Sequence, residues 1–414
     1  MGVKLTASTF RHPARTLCLF ALALAVLALG PATAAAKKPA KGSVGAVYSE
    51  TNGVPDNEVI VFDRKSNGKL KQRELVNTGG AGGLAPQPGC TLPGGCPMLD
   101  TQGEVITKGR LVFAVNAGSD TISALRETSK GLKLVSEVRS RGDFPNSLTA
   151  HGRILYVLNS HSDSIAGFTF SRKGKLRFLR GSREDLSSPA DPALVGGGLT
   201  PRQIGFDNSG RVLVVSLLSP LPGSIDTFKL NKRHRPGAAQ GHAPTTPLPF
   251  GFAFDRHNNL VMSQVSAPPE LAMDGNTATY DLNTRTGGLT PIDTESSHGV
   301  APCWVVVTKD GHYTFVVNTG GGAPNATIAD YSLSSGSALT FLGLTPENNA
   351  NGDEFARTDE ALSRDSKYLY ALKPGLMGPV SQVDIYRVNS DGSLTLVGNT
   401  PANGAPGQSG LAAR

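Results

Sequence analysis

Ile154-Leu155-Tyr156-Val157-Leu158-Asn159 is a run of aliphatic and aromatic residues that ends on a polar residue before Ser160. That is the composition of a buried strand entering a loop. The pattern recurs at 44–49, 111–116, 211–216, 259–264, 313–318 and 368–373. Successive copies lie roughly 43 to 67 residues apart, the interval expected of four-stranded propeller blades with loop insertions. Seven copies imply seven blades.

A proline-led apolar run precedes four of these strands: Phe144-Pro145-Asn146-Ser147-Leu148, Thr200-Pro201-Arg202-Gln203-Ile204, Leu248-Pro249-Phe250-Gly251-Phe252 and Ala301-Pro302-Cys303-Trp304-Val305. Proline is tolerated at the first residue of a strand, where no ladder donor is needed. Turns such as Asp207-Asn208-Ser209-Gly210 then join each run to its repeated strand as a hairpin. The first copy has no such partner before it, whereas the C-terminal run at 405–412 has none after it. The tail is therefore expected to supply the inner strand of the first blade and so remove an open sheet edge. The fold class expected is all-β: one seven-bladed β-propeller over residues 43–414, closed by the C-terminal strand and interrupted by a Gly/Pro-rich insertion at 79–104. A charged fraction of 18%, with 49 glycines and 28 prolines, suits short strands and tight turns rather than helices or disorder.

Residues 1–36 have the layout of a signal peptide. Lys4, Arg11 and Arg15 form a basic start, 17–29 an apolar stretch, and Ala32-Thr33-Ala34 or Ala34-Ala35-Ala36 a small-residue cleavage site. The apolar stretch is too short for a comfortable membrane span. The mature protein is expected in the periplasm or outside the cell, as a monomer without an integral membrane segment. The formal charge of +7 falls by three to +4 without Lys4, Arg11 and Arg15, and Lys37, Lys38 and Lys41 lie in a basic flexible tail at 37–42. The basic run Lys232-Arg233-His234-Arg235 lacks aromatic interleaving, so no nucleic-acid partner is expected.

Cys90 and Cys96 flank Thr-Leu-Pro-Gly-Gly, and in an oxidising compartment they are placed to close a small disulfide loop. Cys303, beside Trp304 on an apolar run, reads as a buried packing residue. No zinc-binding helix motif, nucleophile elbow or phosphate loop is present in the sequence, so neither a metal nor a cofactor is expected.

Topology indicates where a site would form. In a propeller, the loop after the second strand and the loop into the next inner strand emerge on one face, around the mouth of the central channel. Arg202, His298, Arg357 and Glu360 fall in such segments and are not repeated between blades. They are the candidate catalytic residues: a His and a Glu supply acid and base, and an Arg holds a carboxylate. Asn146, Gln203, His161 and Gln408 are the candidate ligand-binding residues on the same face. Asn116, Asn159 and Asn318 stand at strand ends and read as caps.

Phe-Pro-Asn-Ser-Leu at 144, Ile-Leu-Tyr-Val-Leu-Asn at 154, Pro-Phe-Gly-Phe-Ala-Phe at 249, Ala-Pro-Cys-Trp-Val-Val-Val at 301 and Val-Val-Asn-Thr-Gly at 316 resemble the lactonase family of seven-bladed propellers. The resemblance spans about residues 43–412. That family includes 6-phosphogluconolactonases and the fungal 3-carboxy-cis,cis-muconate cyclases. In the cyclases a His, Arg and Glu constellation occupies the channel, and no motif carries those residues over individually. The resemblance implies a lactonase or cycloisomerase-like propeller acting on a small carboxylated lactone. The alternative is a non-enzymatic secreted propeller that binds a protein, glycan or small molecule at the same mouth.

Overall fold

The computed structural model describes residues 36–84, 99–188, 201–218, 222–266, 274–320, 326–346, 358–373, 381–402 and 408–414. The leader, Cys90, Cys96 and Arg357 lie outside these residues.

The chain forms seven antiparallel sheets. Their inner strands, from blade 1 to blade 7, are Ser409–Ala413, Val105–Lys108, Pro145–His151, Pro201–Phe206, Leu248–Phe254, Pro302–Val307 and Asp359–Leu362. The repeated run is the second strand of every blade, with the outer strands following in chain order. Blade 3 adds the short strand Glu184–Asp185, which pairs with its third strand. One 3-10 turn, Ala117–Ser119, accompanies these strands, and there is no α-helix among the described residues. The second strands of blades 1, 4 and 5 are Gly45–Glu50, Val212–Leu217 and Leu260–Val265, each one residue later than the sequence pattern. Pairing sets these ends, and an apolar run alone leaves its last residue undecided by one position.

The C-terminal strand closes the ring. Ser409–Ala413 pairs antiparallel with Gly45–Glu50 and thus completes blade 1 from the far end of the chain. Gly410 makes the close fit possible: it has φ +68, and a Cβ there would lie 2.9 Å from Val105 N. Leu411 packs with Val47, Ile60, Phe62, Tyr370 and Leu372, so the seam between blades 1 and 7 has an apolar core of its own.

A recurrent irregularity follows the leading prolines. Each proline pairs with the end of its second strand: Pro145 with Asn159, Pro201 with Leu217, Pro249 with Gln264 and Pro302 with Asn318. The register then shifts before pairing resumes at Ser147, Gln203, Phe252 and Val305. The residues passed over are Asn146, Arg202, Phe250 with Gly251, and Cys303 with Trp304. A bulge re-aims the side chain of the extra residue. Here it is repeated in four consecutive blades.

Candidate functional site

The bulged residues meet residues 99–104, the end of the Gly/Pro-rich insertion. This segment crosses the ring from blade 1 to blade 6. Leu99 N donates to Ser409 Oγ at 3.0 Å in blade 1, and Arg202 Nη1 in blade 4 donates to Asp100 Oδ2 at 2.7 Å and Asp100 O at 2.9 Å. Trp304 Nε1 in blade 6 donates to Thr101 O at 2.6 Å. The Gln102 amide clamps Val305 from both sides, donating to its carbonyl at 2.9 Å and accepting from its N–H at 3.2 Å. Leu99 and Thr101 are fully buried. These contacts make 99–104 a plug set among the inner strands.

Arg202 is held on three sides. Its guanidinium binds Asp100, lies 5.3 Å from the centre of the Phe250 ring, and is 95% withdrawn from solvent. Phe250 in turn packs edge-on to Trp304, with centroids 5.2 Å apart. Burial outweighs the Arg202 charge at Asp100 and holds its carboxyl above the usual carboxylate range. Cys303 is buried beside the same pair, and desolvation pushes its thiol well up.

Three further carboxyls are buried around the plug: Glu50, Glu104 and Asp359. Both Glu50 oxygens and Glu104 Oε2 lack a hydrogen-bond partner. The nearby Asn57 amide is committed elsewhere, to Val115 O at 2.8 Å and Asn116 Oδ1 at 3.1 Å. Desolvation raises Glu50 and Asp359 well above the ordinary values, reinforced for each by Glu104, and raises Glu104 to about 8. Hydrogen bonding points the same way. Thr101 Oγ1 lies 2.7 Å from Glu104 Oε1 and 2.8 Å from Asn146 O, and one hydroxyl proton cannot serve both. A protonated Glu104 that donates to Thr101 Oγ1 satisfies all three groups. No group of three His, Cys, Asp or Glu side chains is arranged to hold a metal ion among the described residues.

This cluster makes stability depend on pH. Carboxyls raised in the folded state contribute stability that is complete below their unfolded pKa and lost as pH rises through the folded value. For Glu104 that window runs from 4.5 to about 8. Melting temperature should therefore fall between pH 5 and pH 9, and Glu104→Gln should flatten the fall. The variant's amide keeps a donor for Thr101 Oγ1, so it is expected to melt above the wild type at pH 9 and no higher than it at pH 5. Parallel melting curves across this range would show that Glu104 is ionised throughout.

Beneath the plug lies a cavity of about 410 Å³ on the ring axis. It extends from Gln102 and Gly103 at one end to Asn208, in a hairpin turn, at the other. The inner strands form its wall, with Ile106, Phe206, Phe254 and Ala413 as apolar groups and Asp359 and Glu360 as acids. Gln203 also lines it, but its amide is spent on the next blade, donating to Phe252 O at 2.8 Å and accepting from Phe252 N at 2.6 Å. Among the described residues that line it there is no Lys, Arg or His.

The fold gathers Arg202, Glu360, Asn146, Gln203 and Gln408 at the start of the inner strands, all of them buried. Asn146 Nδ2 donates to Pro201 O at 2.8 Å and Gln408 Nε2 to Ala402 O at 2.8 Å, so both tie neighbouring segments together. The two histidines stand apart. His298 is exposed on the outermost strand of blade 5, its ring tilted against Phe341 in the outermost strand of blade 6 with centroids 4.0 Å apart. His161, exposed after the second strand of blade 3, stacks on Phe144, and desolvation lowers its pKa. Asn116 and Asn318 cap their strand ends, donating to Ser123 Oγ at 2.9 Å and to Ser297 O at 3.2 Å.

Sequence reasoning missed Glu50, Asp100, Glu104 and Asp359. Glu50 had a local signal: it occupies the final position of the repeated strand, where three other blades carry Asn116, Asn159 and Asn318. Asp100 and Glu104 had none, because a Gly/Pro-rich insertion carries no periodic pattern to place it.

The sequence model of the lactonase seven-bladed β-propeller matches residues 53–189. No curated protein matches the chain. Among solved structures, a proposed 6-phosphogluconolactonase of Bacteroides fragilis aligns with a TM-score of 0.62 at 15% identity, covering 91% of this chain and 100% of its own. The periplasmic gluconolactonase of Pseudomonas aeruginosa aligns with a TM-score of 0.62 at 16% identity, covering 88% of this chain and 97% of its own. At such identities these likenesses establish the shared fold. Over residues 53–189 the chain matches the lactonase family of seven-bladed β-propellers, and the seven-bladed ring agrees with that match.

Proposed function

We propose that the protein opens a small, uncharged, hydroxyl-rich lactone in the cavity beneath the plug. The observation that carries this reading is an axial cavity of about 410 Å³, a size suited to one small ligand, with two carboxyl residues on its wall. Its described lining residues include no cation, and Arg202 is already paired with Asp100. A carboxylated substrate, which the sequence led us to expect, therefore has less to bind than a neutral sugar-like ring. The named activity of the Pseudomonas aeruginosa neighbour points in the same direction.

In this mechanism Glu360 takes a proton from water as it attacks the lactone carbonyl. Asp359, kept protonated by burial, donates to the oxygen on which negative charge develops. Collapse of the tetrahedral intermediate breaks the ring C–O bond, and the proton returns to the leaving alkoxide. The protein is expected to work outside the cytoplasm. No helix among the described residues is long and apolar enough to cross a membrane.

A pH-stat panel of neutral and carboxylated lactones provides the test. Hydrolysis of a neutral lactone above the spontaneous rate should fall by roughly 10²–10⁴-fold in Glu360→Gln, the range for loss of a general base. The plug favours a second reading, because it occupies the axis and consumes Arg202, Trp304 and Gln102. Saturable lactone binding without turnover would decide for a non-enzymatic binding propeller.

A further inference from the structure

A buried site with an excess of acids lies remote from the axis, where the chain enters blade 1. Arg73 is the hub of three carboxylates: Asp63 at 2.9 Å, Glu74 at 3.0 Å and Glu127 at 2.5 Å, with all four side chains 6% exposed or less. Neutral donors surround them. Tyr48 OH donates to Glu127 Oε1 at 2.9 Å and Leu132 N to Glu74 Oε1 at 2.9 Å. At longer range Arg414 faces Tyr48, but its guanidinium reaches the surface, where it donates to Gly109 O at 3.2 Å. Three acids thus share one close cation. A buried charge without a counter-charge is expensive, so the site lacks positive charge.

The start of the described chain is fastened to this site. Lys37 N lies 2.6 Å from Glu74 Oε2, and Ala40 N donates to Asp63 Oδ2 at 2.7 Å. Blade 2 leaves room for the contact: Gly131 has φ +114, and a Cβ there would stand 2.5 Å from Lys37 O and 2.8 Å from Lys37 N. The Lys37 side chain is exposed, so its own ammonium does not supply the missing charge. Immediately upstream stands Ala34-Ala35-Ala36, one of two small-residue triplets suited to leader cleavage.

We propose that the mature chain begins at Lys37, and that its new α-ammonium is the second close cation of the Asp63–Glu74–Glu127 site. An export-coupled endopeptidase adds water across the Ala36–Lys37 peptide bond. The leader departs with the Ala36 carboxylate, and the chain keeps an amine that takes up a proton near neutral pH. What was a neutral N–H against the Glu74 carboxylate becomes a charged donor at the same place, so the hydrogen bond gains a counter-charge in a site shielded from solvent. Cleavage two residues earlier, after Ala34, leaves Lys37 N a neutral amide and sets the ammonium beyond the site.

Two measurements test this. The full-length chain is exported from a bacterial host, and its N-terminus is read by intact mass and sequencing. A mature protein starting at Lys37 is expected, and one starting at Ala35 overturns the processing site. Next, chains starting at Lys37 and at Ala35 are released from fusions by a protease that leaves authentic ends. At pH 7 the Lys37 chain should melt a few degrees higher. An α-amino group has an unfolded pKa of about 7.7–8.0, which Glu74 raises in the folded state, so the advantage is complete below pH 8 and disappears as pH rises through the folded value. Glu74→Gln, or Nα-acetylation of Lys37 where that variant does not fold, should abolish the difference. Equal melting of the two chains at pH 7 overturns the role of the ammonium.

Discussion

A chain ending at Ala402 is expected to lose its cooperative unfolding transition and to associate in solution. The truncation removes Ser409–Ala413, and with it the whole ladder on the axial edge of Gly45–Glu50. It also removes Leu411 from the seam between blades 1 and 7, the Ser409 hydroxyl that receives Leu99 N at 3.0 Å, and the Leu411 N–H that serves Asp359. Burial of one leucine contributes about 1.5–3 kcal/mol and each hydrogen bond about 1 kcal/mol, so the combined loss is several kcal/mol. That is comparable to the ~5–15 kcal/mol by which a domain is stable at all. The exposed edge then pairs with another chain, the usual fate of an uncovered strand. Thermal melting and size-exclusion chromatography read both effects. A truncated monomer that melts as sharply as the full chain, and at the same temperature, would mean that the ring is held without its closing strand.

The second large effect is expected at Arg202. Replacing it with alanine leaves the Asp100 carboxyl among Trp304, Cys303 and the plug backbone without its cation. Breaking a buried pair by removing one partner costs about 3–5 kcal/mol, and because Asp100 retains some contact with solvent, a loss of about 2–4 kcal/mol is expected. The loss should shrink as pH is lowered, since a protonated Asp100 needs no counter-ion. Arg202→Met with Asp100→Asn should recover most of the stability, because removing both charges leaves no orphan. A double-mutant cycle on urea unfolding measures this coupling. An Arg202→Ala protein as stable as the wild type at pH 7 would place Arg202 outside the structural machinery and return it to the catalytic set first expected of it.

These two experiments separate what was legible in the sequence from what was not. The seven strands announced themselves because a buried strand needs a short apolar run with a turn at each end, and both are local properties of consecutive residues. Closure was legible for the same reason: a C-terminal run without a partner matched a first repeat without an inner strand. Even Pro145, Pro201 and Pro302 marked the starts of inner strands, because proline lacks the N–H that a ladder interior requires.

The chemistry of the axis was legible only in part. That Arg202, Glu360, Asn146, Gln203 and Gln408 stand at the starts of inner strands followed from their positions in the repeat. Their occupations did not. Arg202 is turned inward by a one-residue bulge, and its partner Asp100 arrives 102 residues earlier in the chain, from an insertion with no pattern of its own. Glu50, Glu104 and Asp359 come from blade 1, the approach to blade 2 and blade 7, and only closure of the ring puts their mutual repulsion in one dry place. His298, attractive by residue type, lies on an outermost strand that the closed ring keeps at the rim. The sequence by itself determined the strands, their number and the order in which they close, because short-range patterns encode them. Which carboxyls are neutral, which arginine is already paired and where a ligand finds room were decided by the tertiary structure, because charge and solvation depend on neighbours that the linear chain does not place side by side.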